Sequence, residues 1–166
     1  YQRMSALLKS KNKLKLGIFS ANCSSGQAIT KIEERWDSSW DNNLKQAQLC
    51  DEAGLEFQLP IARWIGYGGA TNFQHNVLET LTWAAGLLAA TKDITIFATT
   101  HTGFHNPVIA AKQLATLDQI GHGRAGVNIV CGWNKPEYEA LGFTLPDDHD
   151  TRYRLGQGWF DIVKNQ

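Results

Sequence analysis

Cysteine is scarce and badly placed for cross-linking: Cys23, Cys50 and Cys131 are odd in number, far apart and without C-x-x-C spacing. That argues against both a disulfide framework and a zinc site, and it fits a reducing cytoplasm. Net charge is missing as well, since 16 Lys and Arg balance 16 Asp and Glu. The one local excess, Arg3, Lys9, Lys11, Lys13 and Lys15, precedes the first acid, Glu33. It reads as a solvated tail and not as a nucleic-acid arm, because no further basic stripe or interleaved aromatics support it. No apolar run is long enough for a bilayer, and the longest, Trp83 to Ala90, falls far short of the roughly 20 residues a span requires. The start also lacks the ordered regions of a secretory signal. Finally, the chain begins with Tyr1 and stops at Gln166 inside a helical pattern, so it is expected to be a fragment.

What is present is an ordinary soluble composition, 166 residues with 43% hydrophobic, enough for one domain with a sizeable core. Strand and helix patterns alternate along it. Residues 1–13 are expected to be a tail or helix before a first strand at Leu14 to Ser20, which enters the small, polar stretch Ala21 to Gly26. Leu44, Ala47, Cys50 and Ala53 then recur at helical spacing, with Asp41 as a cap and Gly54 where a left-handed C-terminal cap is wanted. A second strand, Leu55 to Ile61, leads through a loop with Gly66, Gly68 and Gly69 to a helix over Asn76 to Thr91. Its apolar face is Leu78, Leu81, Ala85 and Leu88, and Asn76 with Glu79 has capping-box spacing. A third strand, Ile94 to Thr99, precedes a helix begun by Asn106 and Pro107, with Ile109, Leu114 and Leu117 inward and Gly121 ending it. The fourth strand is Ala125 to Val130, followed by a short helix over Asn134 to Leu141 closed by Gly142. A last helix is outlined by Tyr153, Gly156, Phe160 and Val163.

Four strand-helix units with long crossovers define an α/β fold with parallel strands. Two architectures accommodate that order. A doubly wound sheet would be complete at this length, but Asn22 to Gly26 is not the G-x-G-x-x-G turn such a sheet places after its first strand. A (β/α)8 barrel needs about twice as many units. Periodicity leaves both open.

The densest signal runs from Asn106 to Trp133, NPVIAAKQLATLDQIGHGRAGVNIVCGW. Physically it is a capped helix, a Gly121-His122-Gly123 turn and a buried strand ending in small and polar residues. With its P-x-x-A-A-K-Q-x-A-T-x-D helix, G-R turn and V-N-x-V-x-G strand end, it resembles the bacterial-luciferase-like, FMN-dependent monooxygenases. The similarity continues through Asn134-Lys135-Pro136-Glu137-Tyr138 and His149-Asp150-Thr151-Arg152-Tyr153, and back to Leu14. Gly132 to Glu139 is similar to the pyrimidine oxygenase branch, whereas Phe73-Gln74-His75 and Ala110 to Gln113 are similar to the dimethylsulfone and alkanesulfonate branch.

The resemblance implies a TIM barrel, of which this chain supplies about the first four βα units, so that residues 1–166 form the N-terminal half of a single domain. It implies reduced FMN as co-substrate, dioxygen as oxidant and a small sulfone, sulfonate or nitrogen heterocycle as substrate. A separate NAD(P)H:flavin reductase and a cytoplasmic homo-oligomer are implied as well, with no nucleic-acid or membrane partner. Thr99 and Asn128 match positions beside the flavin ring where oxygen is activated; both are uncharged, so neither is a general base. Ala62, Arg63, Glu137, Arg152 and Tyr153 match flavin-contacting positions, and Trp133 is expected to wall the pocket. At the second strand this chain departs from the oxygenase pattern, with Ala62 and Arg63 where that branch has isoleucine and lysine, which keeps charge but changes geometry. The related alternatives are a flavin- or deazaflavin-dependent hydride-transfer enzyme on the same fold and a non-catalytic flavin-binding protein; a metal-dependent barrel hydrolase is a third. The fragment alone is expected to bind FMN poorly.

Each of these residues also has a plainer reading. Asn128 could simply terminate a strand, and Thr99 could be an ordinary strand threonine. Arg152 could pair with Asp148 or Asp150. Trp36, Trp40, Trp64, Trp83 and Trp159 read as packing or interface residues. His101 and His105 fall on a loop and not on one helical face, which speaks against a metal pair. Cys131 reads as a small packer, not a nucleophile.

Overall fold

The computed structural model describes residues 6–166; Arg3 of the basic run, like the first part of the tail expected over residues 1–13, lies outside the described residues. A short helix α1 (Ala6–Lys9) precedes four strand-helix units: β1 (Gly17–Phe19), α2 (Trp40–Glu52), β2 (Phe57–Leu59), α3 (Thr80–Ala90), β3 (Thr95–His101), α4 (Pro107–Ile120) and β4 (Ala125–Val130), then α5 (Lys135–Ala140) and α6 (His149–Lys164). All three strand pairs are parallel and the order is β1-β2-β3-β4. A sheet that adds each strand beside the last, with every helix crossing on the same face, is the beginning of a barrel; a doubly wound sheet reverses its order and takes helices on both faces.

The core confirms which face is covered. Ile96 and Ala98 are fully buried against Ala47, Cys50, Leu81, Ala84, Leu87, Leu88 and Leu117, with Ile18 and Ala125 packed beside them. Because strand side chains alternate, the intervening residues Phe19, Phe57, Leu59, Phe97, Thr99, Gly126 and Asn128 share the opposite, inner face. There the Phe57 and Phe97 rings meet edge to face at 6.0 Å. A Cβ on Gly17 would lie 2.5 Å from the Phe57 ring and one on Gly126 2.7 Å from the Phe97 ring. Glycine beside each phenylalanine therefore lets the large rings lie across neighbouring strands.

The helix ends depart from the sequence expectations in instructive ways. Ser39, not Asp41, caps α2, its hydroxyl accepting from Asn42 N. Gly54 does take the expected left-handed conformation (φ +78°). The helix expected from Asn76 starts only at Thr80, because Glu79 is itself the cap, its carboxylate accepting Leu81 N and Thr82 N. Asn76 instead exchanges hydrogen bonds with Ser24. Asn106 caps α4 as expected, with Pro107 in the first turn. Ile109 is 61% exposed and does not point inward; the buried stripe is Ala110, Ala111 and Leu117, one residue round the helix. On α6 it is Gly156 and Trp159 that are buried, while Tyr153 and Phe160 are exposed. The missing side chain at Gly156 makes room for Cys131 Sγ. β1 and β2 are each shorter than their apolar patterns, and Leu14 and Leu16, which precede β1, are exposed.

The amino edge of the sheet is locked by side chains binding backbone. Glu56 accepts Leu16 N, Ser10 Oγ and Asn12 Nδ2, which pins the segment after α1 in front of β1 and β2. Those bonds, the one from Leu16 N foremost, hold its carboxyl down to about 2. Asp51 accepts Lys92 N, Asp93 N and Ile94 N. Arg124, buried just before β4, donates to the carbonyls of Leu88, Thr91 and Ile94 and to Thr91 Oγ1.

Candidate functional site

The opposite, carboxyl edge gathers the chemistry. Thr99 and Asn128 are register partners on β3 and β4 and face the inner side of the sheet. Asn128 Nδ2 donates to Thr99 Oγ1 (3.4 Å), which in turn donates to Pro60 O (2.9 Å) beyond β2. An uncharged amide and hydroxyl are thus fixed across three neighbouring strand ends. Beneath them on the same face lie Phe97 and Leu59.

Asn22, which the sequence reading passed over, fixes the chain after β2. It is fully buried, and its side chain donates to Ile61 O (2.8 Å) and Leu78 O (3.0 Å) while accepting Ile61 N (3.0 Å). Ala62 and Arg63 follow directly. The one signal that could have found Asn22 is its place among small residues immediately past an apolar strand.

Arg63 is the most densely bonded group of the rim. Its Nε donates to Gln74 Oε1 (3.3 Å), Nη1 to Glu137 Oε1 (3.3 Å) and Nη2 to Tyr67 Oη (2.9 Å). The guanidinium lies 4.7 Å from the Tyr67 ring centroid and 5.5 Å from that of Trp133. Glu137, 1% exposed, also accepts Trp64 N (2.8 Å) and Ile65 N (3.4 Å). Two residues 74 apart in sequence therefore form a buried ion pair. Trp133 itself is 63% exposed. Next to Arg63, a cleft of about 170 Å³ runs between Ala62, Trp64, His75, Val77 and the start of α3.

Behind this wall is an aromatic cluster. His101 stacks on Phe104 and meets Tyr138 edge to face, and Trp64 meets Phe104 edge to face. Burial, with the nearby charges of His105 and Arg63, pushes the His101 imidazole down to about 4, so it is neutral at physiological pH. His105 Nδ1 is engaged by the His101 backbone. The Tyr138 ring is wedged between Gly103 and Gly132, where any Cβ would collide with it. Burial also raises the Cys23 thiol to about 12, which leaves it protonated and a packing group.

Of the residues expected in the site, Ala62, Arg63, Thr99, Asn128, Trp133 and Glu137 are brought to this edge. Arg152 lies at the start of α6, where its Nη1 donates to Pro146 O (2.8 Å) and Asp147 O (2.9 Å), not to the carboxylates of Asp148 or Asp150. Asp148 is occupied as the helix cap. Tyr153, 58% exposed, lies tilted against the His149 ring, with centroids 4.6 Å apart.

A one-sided parallel βα sheet with its polar groups gathered at the carboxyl edge defines the chain as part of a (β/α)8 barrel with the working face of that fold. Its particular kind follows from kinship. Residues 14–165 match the family model for luciferase-like monooxygenases, and the chain belongs to that family. It is 41% identical over 149 residues to the FMNH(2)-dependent dimethylsulfone monooxygenase of Pseudomonas fluorescens (strain Pf0-1), covering 89% of this chain and 39% of that protein. Against pyrimidine monooxygenase RutA of Pantoea ananatis (strain LMG 20103) it is 36% identical over 139 residues, covering 84% and 38%. The EDTA monooxygenase (EmoA) from Chelativorans sp. BNC1 shares the fold with a TM-score of 0.78 at 20% identity, over 92% of this chain and 38% of that one. The chain thus spans about two fifths of the length of the relatives it matches.

Proposed function

We propose that residues 1–166 are the N-terminal half of a single barrel domain, and that the full-length protein is a two-component monooxygenase. It uses reduced FMN and dioxygen to oxygenate a small organic molecule, a sulfone, a sulfonate or a nitrogen heterocycle. The observation that carries this reading is the uncharged Thr99–Asn128 pair at the carboxyl ends of β3 and β4, in a chain whose relatives include an FMNH(2)-dependent dimethylsulfone monooxygenase and a pyrimidine monooxygenase.

The residues present fit a flavin. A tricyclic ring needs an apolar floor and neutral hydrogen-bonding groups at its edge. Phe97 and Leu59 supply the floor, and Thr99 and Asn128 supply the edge. Ala62, Arg63 and Glu137 form the wall beside it, with Trp133 standing at the rim. Arg63 has an acceptor for each nitrogen, whereas Arg152 Nε is buried and, among the described residues, without one. In this reading Arg152 serves the flavin through the donor it has still to place, with Tyr153 beside it on the same turn. Reduced FMN, when bound, supplies the electrons for oxygen activation. The protein's part is to orient: Asn128 and Thr99 present fixed dipoles that need no reorganisation during reaction, and the surrounding aromatic side chains keep water away.

A separate NAD(P)H:flavin reductase would provide the reduced flavin in the cytoplasm, and the protein would work as a homo-oligomer. Among the described residues no helix is long and apolar enough to cross a membrane. The test is oxygen uptake by the full-length protein supplied with reduced FMN and either dimethylsulfone or uracil. Uptake that tracks product is expected; product formed without oxygen would overturn the monooxygenase reading in favour of hydride transfer.

A further inference from the structure

We infer that Gln74, Arg63 and Glu137 form a clamp that sets the carboxyl rim, with Gln74 as a positioning residue, so that Arg63 serves the ligand by placement and not by free charge. The ligand part of this inference rests on the flavin reading above. The clamp joins the loops that follow three different strands. Gln74 Nε2 donates to Gly26 O in the loop after β1 (3.3 Å), while Gln74 Oε1 accepts Arg63 Nε in the loop after β2. Arg63 Nη1 then reaches Glu137 on α5, after β4, and the same Glu137 oxygen takes Trp64 N and Ile65 N.

The residue types are those the task demands. A guanidinium only donates and a backbone carbonyl only accepts, so the side chain that bridges them must offer an acceptor at one end and a donor at the other. Glutamine is the uncharged residue of that length that does so; glutamate would face the Gly26 carbonyl with a second acceptor. Arg63 has three nitrogens in one plane, each directed to a different acceptor, and its faces lie against Tyr67 and Trp133. Lysine, with one nitrogen on a flexible stem, cannot make all three bonds. The loop is shaped to deliver Gln74. Its backbone holds a left-handed φ of +52° that favours glycine, yet the residue there is a glutamine with 2% of its surface exposed. Gly66 allows the return, since a Cβ there would lie 2.8 Å from His75 Cα. The Phe73-Gln74-His75 motif thereby acquires a specific task that its sequence does not announce.

The test uses the full-length protein with Gln74→Leu, Arg63→Lys and the double variant. Without flavin, broad-specificity proteolysis read by mass spectrometry reports cleavage within residues 66–71. With flavin, quenching of its fluorescence reports the Kd for FMN. Each single variant is expected to speed cleavage of this loop about tenfold and to weaken FMN about tenfold, and the double variant should be no worse than the worse single, because members of one network do not add. Arg63→Lys keeps the charge, so wild-type FMN affinity in that variant would overturn the claim that placement matters. Unchanged loop cleavage in Gln74→Leu, multiplying effects in the double variant, or cleavage spread along the chain as in global unfolding would also overturn it. If the loop responds as expected while wild-type protein binds no FMN, the clamp stands and the flavin reading falls.

Discussion

The two edges of the sheet each bury an arginine, and the two arginines are used differently. At the amino edge Arg124 spends its guanidinium on backbone carbonyls of the α3–β3 connection, and Glu56 and Asp51 spend theirs on backbone N–H groups. Every one of these bonds closes a chain end onto its neighbour. At the carboxyl edge Arg63 is held by other side chains, Gln74, Glu137 and Tyr67, which stand on loops and on α5, and its guanidinium faces the Trp133 ring. In a βα barrel the first pattern belongs to stability and the second to function. The difference lies in what the partner can do: a strand-end carbonyl is fixed by the sheet, whereas a loop side chain can be shifted by a ligand.

The sharpest way to break that contrast is Arg124→Met. It would leave three buried carbonyls unpaired at roughly 1–3 kcal/mol each, so unfolding in urea should show a loss of about 3–5 kcal/mol, with FMN affinity of the folded protein unchanged. A loss below about 1 kcal/mol would remove the amino edge from the stability side. Asn128→Ala should behave in the reverse sense. In the role proposed for Asn128, removing this preorganised donor should cost about 100-fold in rate, while a half-buried amide bonded at 3.4 Å contributes no more than about 1 kcal/mol to folding. Product formation and urea midpoint measured on one sample would show whether the two effects separate.

A pH series sharpens the same comparison. The Glu56 carboxyl is held down to about 2 in the folded chain against an ordinary 4.5. Its stabilisation is therefore complete above about pH 4.5 and is lost progressively as pH falls towards 2. Glu56→Gln should flatten the urea midpoint across that window and leave the slope above it untouched. The smallest effect expected is at a cap: Asn106→Ala removes the side-chain acceptor for Val108 N and Ile109 N and should cost about 1 kcal/mol, readable as a lowered melting midpoint without a change in FMN affinity.

Much of the scaffold was legible because it depends on neighbours in sequence. Asn106, Pro107 and Gly121 bracket α4 as their types dictate, Gly54 and Gly142 take left-handed conformations, and β4 has its expected bounds. The misreadings were also local, but they turned on competition between neighbours. Glu79 took the cap from Asn76 because its own carboxylate reaches two helical N–H groups, and Ser39 did the same to Asp41. Ile109 looked inward by apolarity alone, while the buried positions beside it are the small residues Ala110 and Ala111. Thr99 and Asn128 were singled out through motif similarity, and their facing one another follows from strand register. Gln74, Tyr67 and Asn22 were not assigned roles, since each acts on a residue 4 to 56 positions away.

By itself the sequence determined the alternation of strands and helices, the ends of α4 and β4 and the polar character of the strand tips. Those properties follow from interactions over a few residues, where residue type nearly fixes geometry. Tertiary structure decided the sequential order of the sheet, the covering of only one face and the pairing of Arg63 with Glu137. Such outcomes depend on which distant segments meet, and a buried charge or amide settles on whichever partner the fold delivers, because leaving it unpaired costs more than any local preference can return.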